Sequence, residues 1–187
     1  MVDSLVREPI NQRPGACPDL IDYGSNRNVI RQYHGAILDR LSISAPVQKK
    51  RIFLARGNRR RSYNQAELLS ITKHHGFSAV YPEILIFRDQ VQLLASAAFV
   101  IGPSAATFTN TSFSQLGTRL LSWLPPRHGK FCSYTNFASL TESRLRFLFT
   151  TPDQPLCSGF DAFRAGYHID SNVFESALRL ALESTEY

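Results

Sequence analysis

A regular alternation of short apolar runs and amphipathic stretches between residues 51 and 124 constrains this chain more than any other feature. Arg51–Arg56 (RIFLAR) reads as a strand. Asn64–His75 reads as a helix, opened by an Asn64-x-x-Glu67 capping box and closed by Gly76. Phe77–Tyr81 is a second strand, stopped by Pro82. Asp89–Ala97 is a helix with Val91, Leu94, Ala95 and Ala98 on one side. Ala98–Ile101 is a third strand, running into Gly102-Pro103. Ser104–Leu116 is a helix ended by Gly117, and Thr118–Leu124 is a fourth strand stopped by Pro125-Pro126. Strands joined through helices by short connections predict an α/β fold, a parallel sheet with helices on both faces.

The flanks are less regular. Residues 1–27 read as irregular, punctuated by Pro9, Pro14, Gly15, Pro18 and Gly24, and Asn28–Leu41 has helical spacing. Residues 127–143 read as a loop with a short helix, Arg144–Thr150 as a fifth strand and Ser171–Leu182 as a last amphipathic helix. The expected organisation is an N-terminal extension over 1–48 and a ligand-binding α/β domain over 49–187. No apolar run approaches the length of a membrane span, and residues 1–30 contain no apolar signal-peptide core.

Charge is unevenly spread. The chain carries 21 Lys and Arg against 15 Asp and Glu, a net +6. Lys49, Lys50, Arg51, Arg56, Arg59, Arg60 and Arg61 fall within thirteen residues that hold no acid; elsewhere the two signs nearly cancel. A local excess points to an anionic partner. No nucleic-acid recognition motif or paired aromatic platform accompanies it, so nucleic acid is not the expected partner. The three cysteines, Cys17, Cys132 and Cys157, lack metal-ligand spacing, as do the histidines, and no metal is expected. Three widely spaced cysteines fit free thiols in a reducing compartment. A cytoplasmic chain, at most peripheral to a membrane, is the expectation.

Two loops are placed to carry chemistry. In an open parallel sheet, ligands bind beyond the carboxyl ends of the strands. The loop after the first strand, Arg56 to Asn64, carries four arginines there and then opens a helix, whose N-terminus attracts anions. The alternative is a solvated basic loop with Asn64 as a plain cap. The loop after the third strand, Gly102-Pro103-Ser104-Ala105-Ala106-Thr107-Phe108-Thr109-Asn110, is built of small residues that let a ligand approach the backbone. Tight strand–helix packing would select the same residues. Glu83, after Pro82, stands where nucleotide-binding sheets often place a carboxylate on a ribose hydroxyl. Gly102-x-Ser104-x-Ala106 also resembles a nucleophile elbow, with Asp161 and His168 following in order. That serine hydrolase reading is disfavoured: too few strands precede the serine, and alanine replaces the glycine at the tightest position.

Taken together, these residues resemble the glycosyltransferase family 61 domain, whose bacterial members are often labelled capsular polysaccharide biosynthesis proteins. The resemblance lies in Arg56, Arg61, Asn64 and Glu67; in Gly76, Phe77, Pro82 and Glu83; in Asp89 and Gln90; and in Gly102, Pro103, Ser104, Ala105, Ala106, Thr109 and Asn110. It covers about residues 29–124. It implies one Rossmann-like half of a GT-B glycosyltransferase, the donor-binding half. It implies inverting transfer from a nucleotide-activated sugar to a glycan or polysaccharide acceptor, with no further cofactor. Carried onto this chain, the donor nucleotide and diphosphate would meet Arg56, Arg61, Asn64, Glu83, Gly102, Ser104, Ala105, Thr109 and Asn110; no catalytic base is assigned. Ala105 departs from the usual glycine, and residues 1–48 are too few for a second Rossmann-like unit. The expectation is therefore a truncated enzyme, or one whose missing half is supplied by a second chain. The alternative is an inactive module that binds sugar nucleotides or a partner chain.

Overall fold

The computed structural model describes residues 6–7, 27–43, 50–57, 63–104, 106–124, 138–139, 141–153 and 165–183. Five parallel strands form the centre: β2 (Lys50–Leu54), β3 (Ser78–Val80), β4 (Ala97–Pro103), β5 (Arg119–Leu124) and β6 (Arg144–Phe149). A two-residue strand, β1 (Val6–Arg7), joins antiparallel to β6, so part of the segment read as irregular belongs to the sheet. The strand order is β1-β6-β5-β4-β2-β3. The short strands β7 (Thr151–Pro152) and β8 (Tyr167–His168), absent from the sequence reading, pair separately.

Strands β4 and β5, and the inner parts of β2 and β6, bury side chains on both sides, as a sheet covered on both faces requires; β3, at the edge, is mostly exposed. Phe53, Phe99, Leu121 and Trp123 point to one face, beneath α2 (Gln65–His74) and α4 (Ser171–Glu183). Ile52, Leu54, Val100 and Leu120 point to the other, beneath α3 (Phe87–Ala95) and a 3₁₀ helix over Ala106–Phe113. The expected α/β architecture with helices on both faces is therefore present. Helix α1 (Arg27–Arg40) adds Ile37 and Leu38 to a smaller cluster with Val91, Ala95 and Phe113.

Local stop signals act as the residue types predict. Gly76 takes φ +76°, its N–H reaches the Lys73 carbonyl and that of Phe77 the Thr72 carbonyl, which closes α2 in a Schellman turn. Gly117 takes φ +75° before β5. Two local expectations are corrected. The segment after β4 winds as a 3₁₀ helix rather than an α-helix, its Thr111 and Ser114 contacts running three residues back. The Asn64–Glu67 capping box does not form: Asn64 makes no side-chain cap to the backbone of α2, and its amide instead donates to Glu67 Oε2 at 2.8 Å and bonds the backbone of Ile169.

Strand order locates the site. After β2 the chain crosses to β3 on one side, then passes back over β2 to β4 on the other. The reversal falls between β2 and β4, where neighbouring connections leave on opposite faces and open a crevice at the carboxyl ends of the strands.

Candidate functional site

Arg56 stands at that crevice. Its guanidinium crosses from the end of β2 to donate from Nη2 to the Ser104 carbonyl beyond β4, at 3.2 Å. The backbone behind it is held in three successive steps. The Ala55 N–H donates to the Val80 carbonyl, the last backbone bond to the short strand β3. The Arg56 N–H and C=O then meet the Gln65 side-chain amide, at 2.8 and 3.0 Å. The Gly57 N–H donates to Glu83 Oε1. Glu83 thus holds the backbone at Gly57, just past Arg56.

The small-residue loop is organised inward. A Cβ on Gly102 would lie 2.8 Å from Leu54 Cβ and 3.2 Å from the Leu54 carbonyl, so the glycine admits strand β2. The Ser122 hydroxyl donates to the Gly102 carbonyl and pairs with the Ser104 hydroxyl at 2.9 Å. With its proton on Gly102, Ser122 can only accept from Ser104. Asn110 donates to Gln90 Oε1, while Gln90 Nε2 donates to the carbonyls of Pro82 and Leu85. Asn110 therefore ties the 3₁₀ helix to α3. Thr109 is half-buried on the same 3₁₀ helix. Asn64 lies at the start of α2, its amide exchanging two hydrogen bonds with the backbone of Ile169, at 2.9 and 3.1 Å. Arg61 and Ala105 lie outside the described residues. Among the described candidates, the structure brings Arg56, Gly102 and Ser104 together at the crevice and Glu83 to its rim; the side-chain amides of Asn64 and Asn110 join elements around it.

Sequence reasoning missed Gln65, Ser122 and Tyr63. Tyr63 donates to Gln65 Oε1 at 2.6 Å and stacks on Tyr167, with ring centres 5.4 Å apart. Burial, reinforced by Tyr167, pushes the Tyr63 hydroxyl far above its ordinary value, so it remains a donor. Nothing in the spacing of Tyr63 or Gln65 distinguishes them from ordinary helix-start residues. Their roles depend on how the chain leaves β2.

The basic cluster is not one patch. Lys50 and Arg51 lie at the amino end of β2, about 16–20 Å along the chain from Arg56. Arg51 donates to the His75 carbonyl at the end of α2, and Arg119 donates to the Ala181 and Leu182 carbonyls near the end of α4. These arginines satisfy helix C-terminal carbonyls at the edge opposite the crevice. Lys49 and Arg59–Arg61 lie outside the described residues.

The elbow reading finds no support at Ser104, whose hydroxyl pairs with Ser122; Asp161 lies outside the described residues and His168 is exposed on β8. Among the described residues no group of three or more His, Cys, Asp or Glu side chains is placed to hold a metal, and no helix is long and apolar enough to cross a membrane.

Compared with known protein families, residues 20–121 match Glycosyltransferase 61, more than half of the chain. The chain belongs to glycosyltransferase family 61. No curated protein matches it. The family 61 match spans α1 through the middle of β5 and contains Arg56, Gly102 and Ser104 at the crevice. It also contains Asn64 and Glu67, which bond each other and reach Ile169 and Ser171 beyond it. Part of the matched region therefore anchors a segment that lies outside it.

Proposed function

We propose that this glycosyltransferase binds the diphosphate of a nucleotide-activated sugar in the crevice between β2 and β4, for inverting transfer to a hydroxyl of a glycan or polysaccharide acceptor. The observation that carries the reading is the Arg56 guanidinium lying across the switch-point crevice. Arg56 has five N–H donors in a rigid fork, and the Ser104 carbonyl requires one of them. A guanidinium so placed is suited to phosphate oxygens.

In an inverting transfer, the acceptor oxygen bonds to the anomeric carbon as the bond from that carbon to the diphosphate breaks. The acceptor proton passes to a base, and the diphosphate departs with the bonding electrons. Arg56, with Arg61 as the second cation of the motif, would stabilise that growing charge. The base is not assigned to any residue of this chain.

The test is titration calorimetry with uridine and guanosine diphosphates. Arg56→Ala and Arg61→Ala are each expected to weaken binding by about tenfold to a hundredfold, the scale of a charge-assisted hydrogen bond of about 1.5–3 kcal/mol. Lys50→Ala, at the far end of β2, is expected to bind like the parent chain. Equal affinity in all variants would remove the site from this crevice. A parallel assay for consumption of sugar nucleotides separates a transferase from a module that only binds them.

A further inference from the structure

Resting on the reading of the crevice as a diphosphate site, we propose that Gln65 is the positioning residue that sets Arg56 for its anion. Strand β3 ends at Val80, and the chain then turns into the short 3₁₀ helix Pro82–Ile84. Beyond Leu54 the chain leaves the strand, and the peptide groups of Arg56, no longer part of the sheet, need other partners. Gln65 supplies one for each group of Arg56: Oε1 accepts from its N–H and Nε2 donates to its carbonyl. The side-chain amide does for Arg56 what a strand neighbour would do.

The residue type matters. A main-chain N–H can only donate and a C=O can only accept, so the partner must carry one acceptor and one donor on a single planar group. Glutamine does so; glutamate lacks the donor and methionine lacks both. The orientation of the amide is set a second time by Tyr63, whose hydroxyl also donates to Oε1. The Tyr63 ring is itself held against Tyr167 and edge-on to Trp123, with centres 5.4 and 5.7 Å apart. A continuous set of contacts thus runs from the aromatic core through Tyr63 and Gln65 to the Arg56 backbone, and from there to the guanidinium on Ser104. Fixing the arginine before the ligand arrives lowers the ordering cost of binding. Gln65 acts through Arg56.

A double-mutant cycle on the full chain tests this, with uridine and guanosine diphosphates as probes and calorimetry as readout. Gln65→Met is expected to weaken binding about fivefold to tenfold in the parent chain and to cause no further loss in an Arg56→Ala background. Amide hydrogen exchange provides a readout that needs no ligand: the Arg56 N–H should exchange at least about tenfold faster in Gln65→Met, with Ile52 and Phe53 unchanged. Tyr63→Phe keeps the ring and removes only the hydroxyl. It should weaken binding about twofold to threefold, and it carries the test if Gln65→Met does not fold. Parent affinity in Gln65→Met, or in Tyr63→Phe where that variant stands in, overturns the inference while Arg56→Ala still binds weakly. So does an equal loss in the Arg56→Ala background. If Arg56→Ala keeps full affinity, the diphosphate reading itself fails.

Discussion

Gly102 illustrates how one residue type serves two purposes that sequence cannot separate. A glycine after a strand and before a helical turn reads as room for a ligand. Here the room is filled by Leu54 of the neighbouring strand, whose Cβ and carbonyl would lie 2.8 and 3.2 Å from an added methyl. Both contacts come from a rigid part of β2, so the strands would have to separate. Gly102→Ala is therefore expected to destabilise the chain by about 1–3 kcal/mol, the range for overpacking a filled interior. Denaturant unfolding checks this, and a variant as stable as the parent would mean that β2 and β4 adjust freely. Since β2 and β4 flank the crevice, the same substitution is expected to disturb the Arg56–Ser104 contact. Arg51 teaches the converse. It looked like part of an anion-binding cluster because charge along a sequence says nothing about which end of a strand it occupies. Its carbonyl partner at His75 became visible only once α2 had folded back along the sheet.

At the scale of elements, helix α1 meets the domain through a titratable contact. The His34 ring lies 4.6 Å from that of Phe113, and burial lowers the imidazole below its ordinary value of about 6.5. The neutral form is favoured in the folded state. Between the folded and unfolded values the unfolded chain binds a proton that the folded chain does not. The stability held above about pH 6.5 is therefore lost progressively as pH falls below it. The melting temperature of the parent chain should drop from pH 7.5 to 5.5, and His34→Phe, which keeps an aromatic ring against Phe113, should flatten that slope. Parallel profiles for the two chains would exclude His34 as a source of the dependence. The elements themselves were largely legible. Alternating apolar runs located β2 through β6, and glycines marked the ends of α2 and of the 3₁₀ helix. What was not legible depended on tertiary partners. Val6–Arg7 is a strand because β6 has an open edge, and β8 is one because Thr151–Pro152 lies beside it. Asn64 carries the cap signature, yet its amide bridges to Ile169, which lies 105 residues away in sequence. The site was legible as two loops and one arginine. The brace on Arg56 was not, since it depends on Gln65 meeting the chain where it leaves β2.

At the scale of the whole molecule, the family match and the folding unit have different limits. The match stops at residue 121, within β5, whereas the core continues well past it. Leu145, Phe147 and Leu148 of β6 and Phe174 and Leu178 of α4 are buried. Without them, β5 becomes an open edge, and Trp123 and Phe53 lose the cover that α4 provides. Each large apolar side chain contributes about 1.5–3 kcal/mol on burial. Removing five of them takes away an amount comparable to the whole stability of a typical domain, about 5–15 kcal/mol. The Asn64 bridge to Ile169 would be lost as well, and with it the tie between the start of α2 and the segment leading into α4. A fragment ending at Leu124 is therefore expected to melt without a cooperative transition and to bind no nucleoside diphosphate, although it keeps every residue of the matched region. Circular dichroism with calorimetric titration decides the matter. A cooperative melt in that fragment would mean that β6 and α4 are attached to the glycosyltransferase fold rather than part of its core.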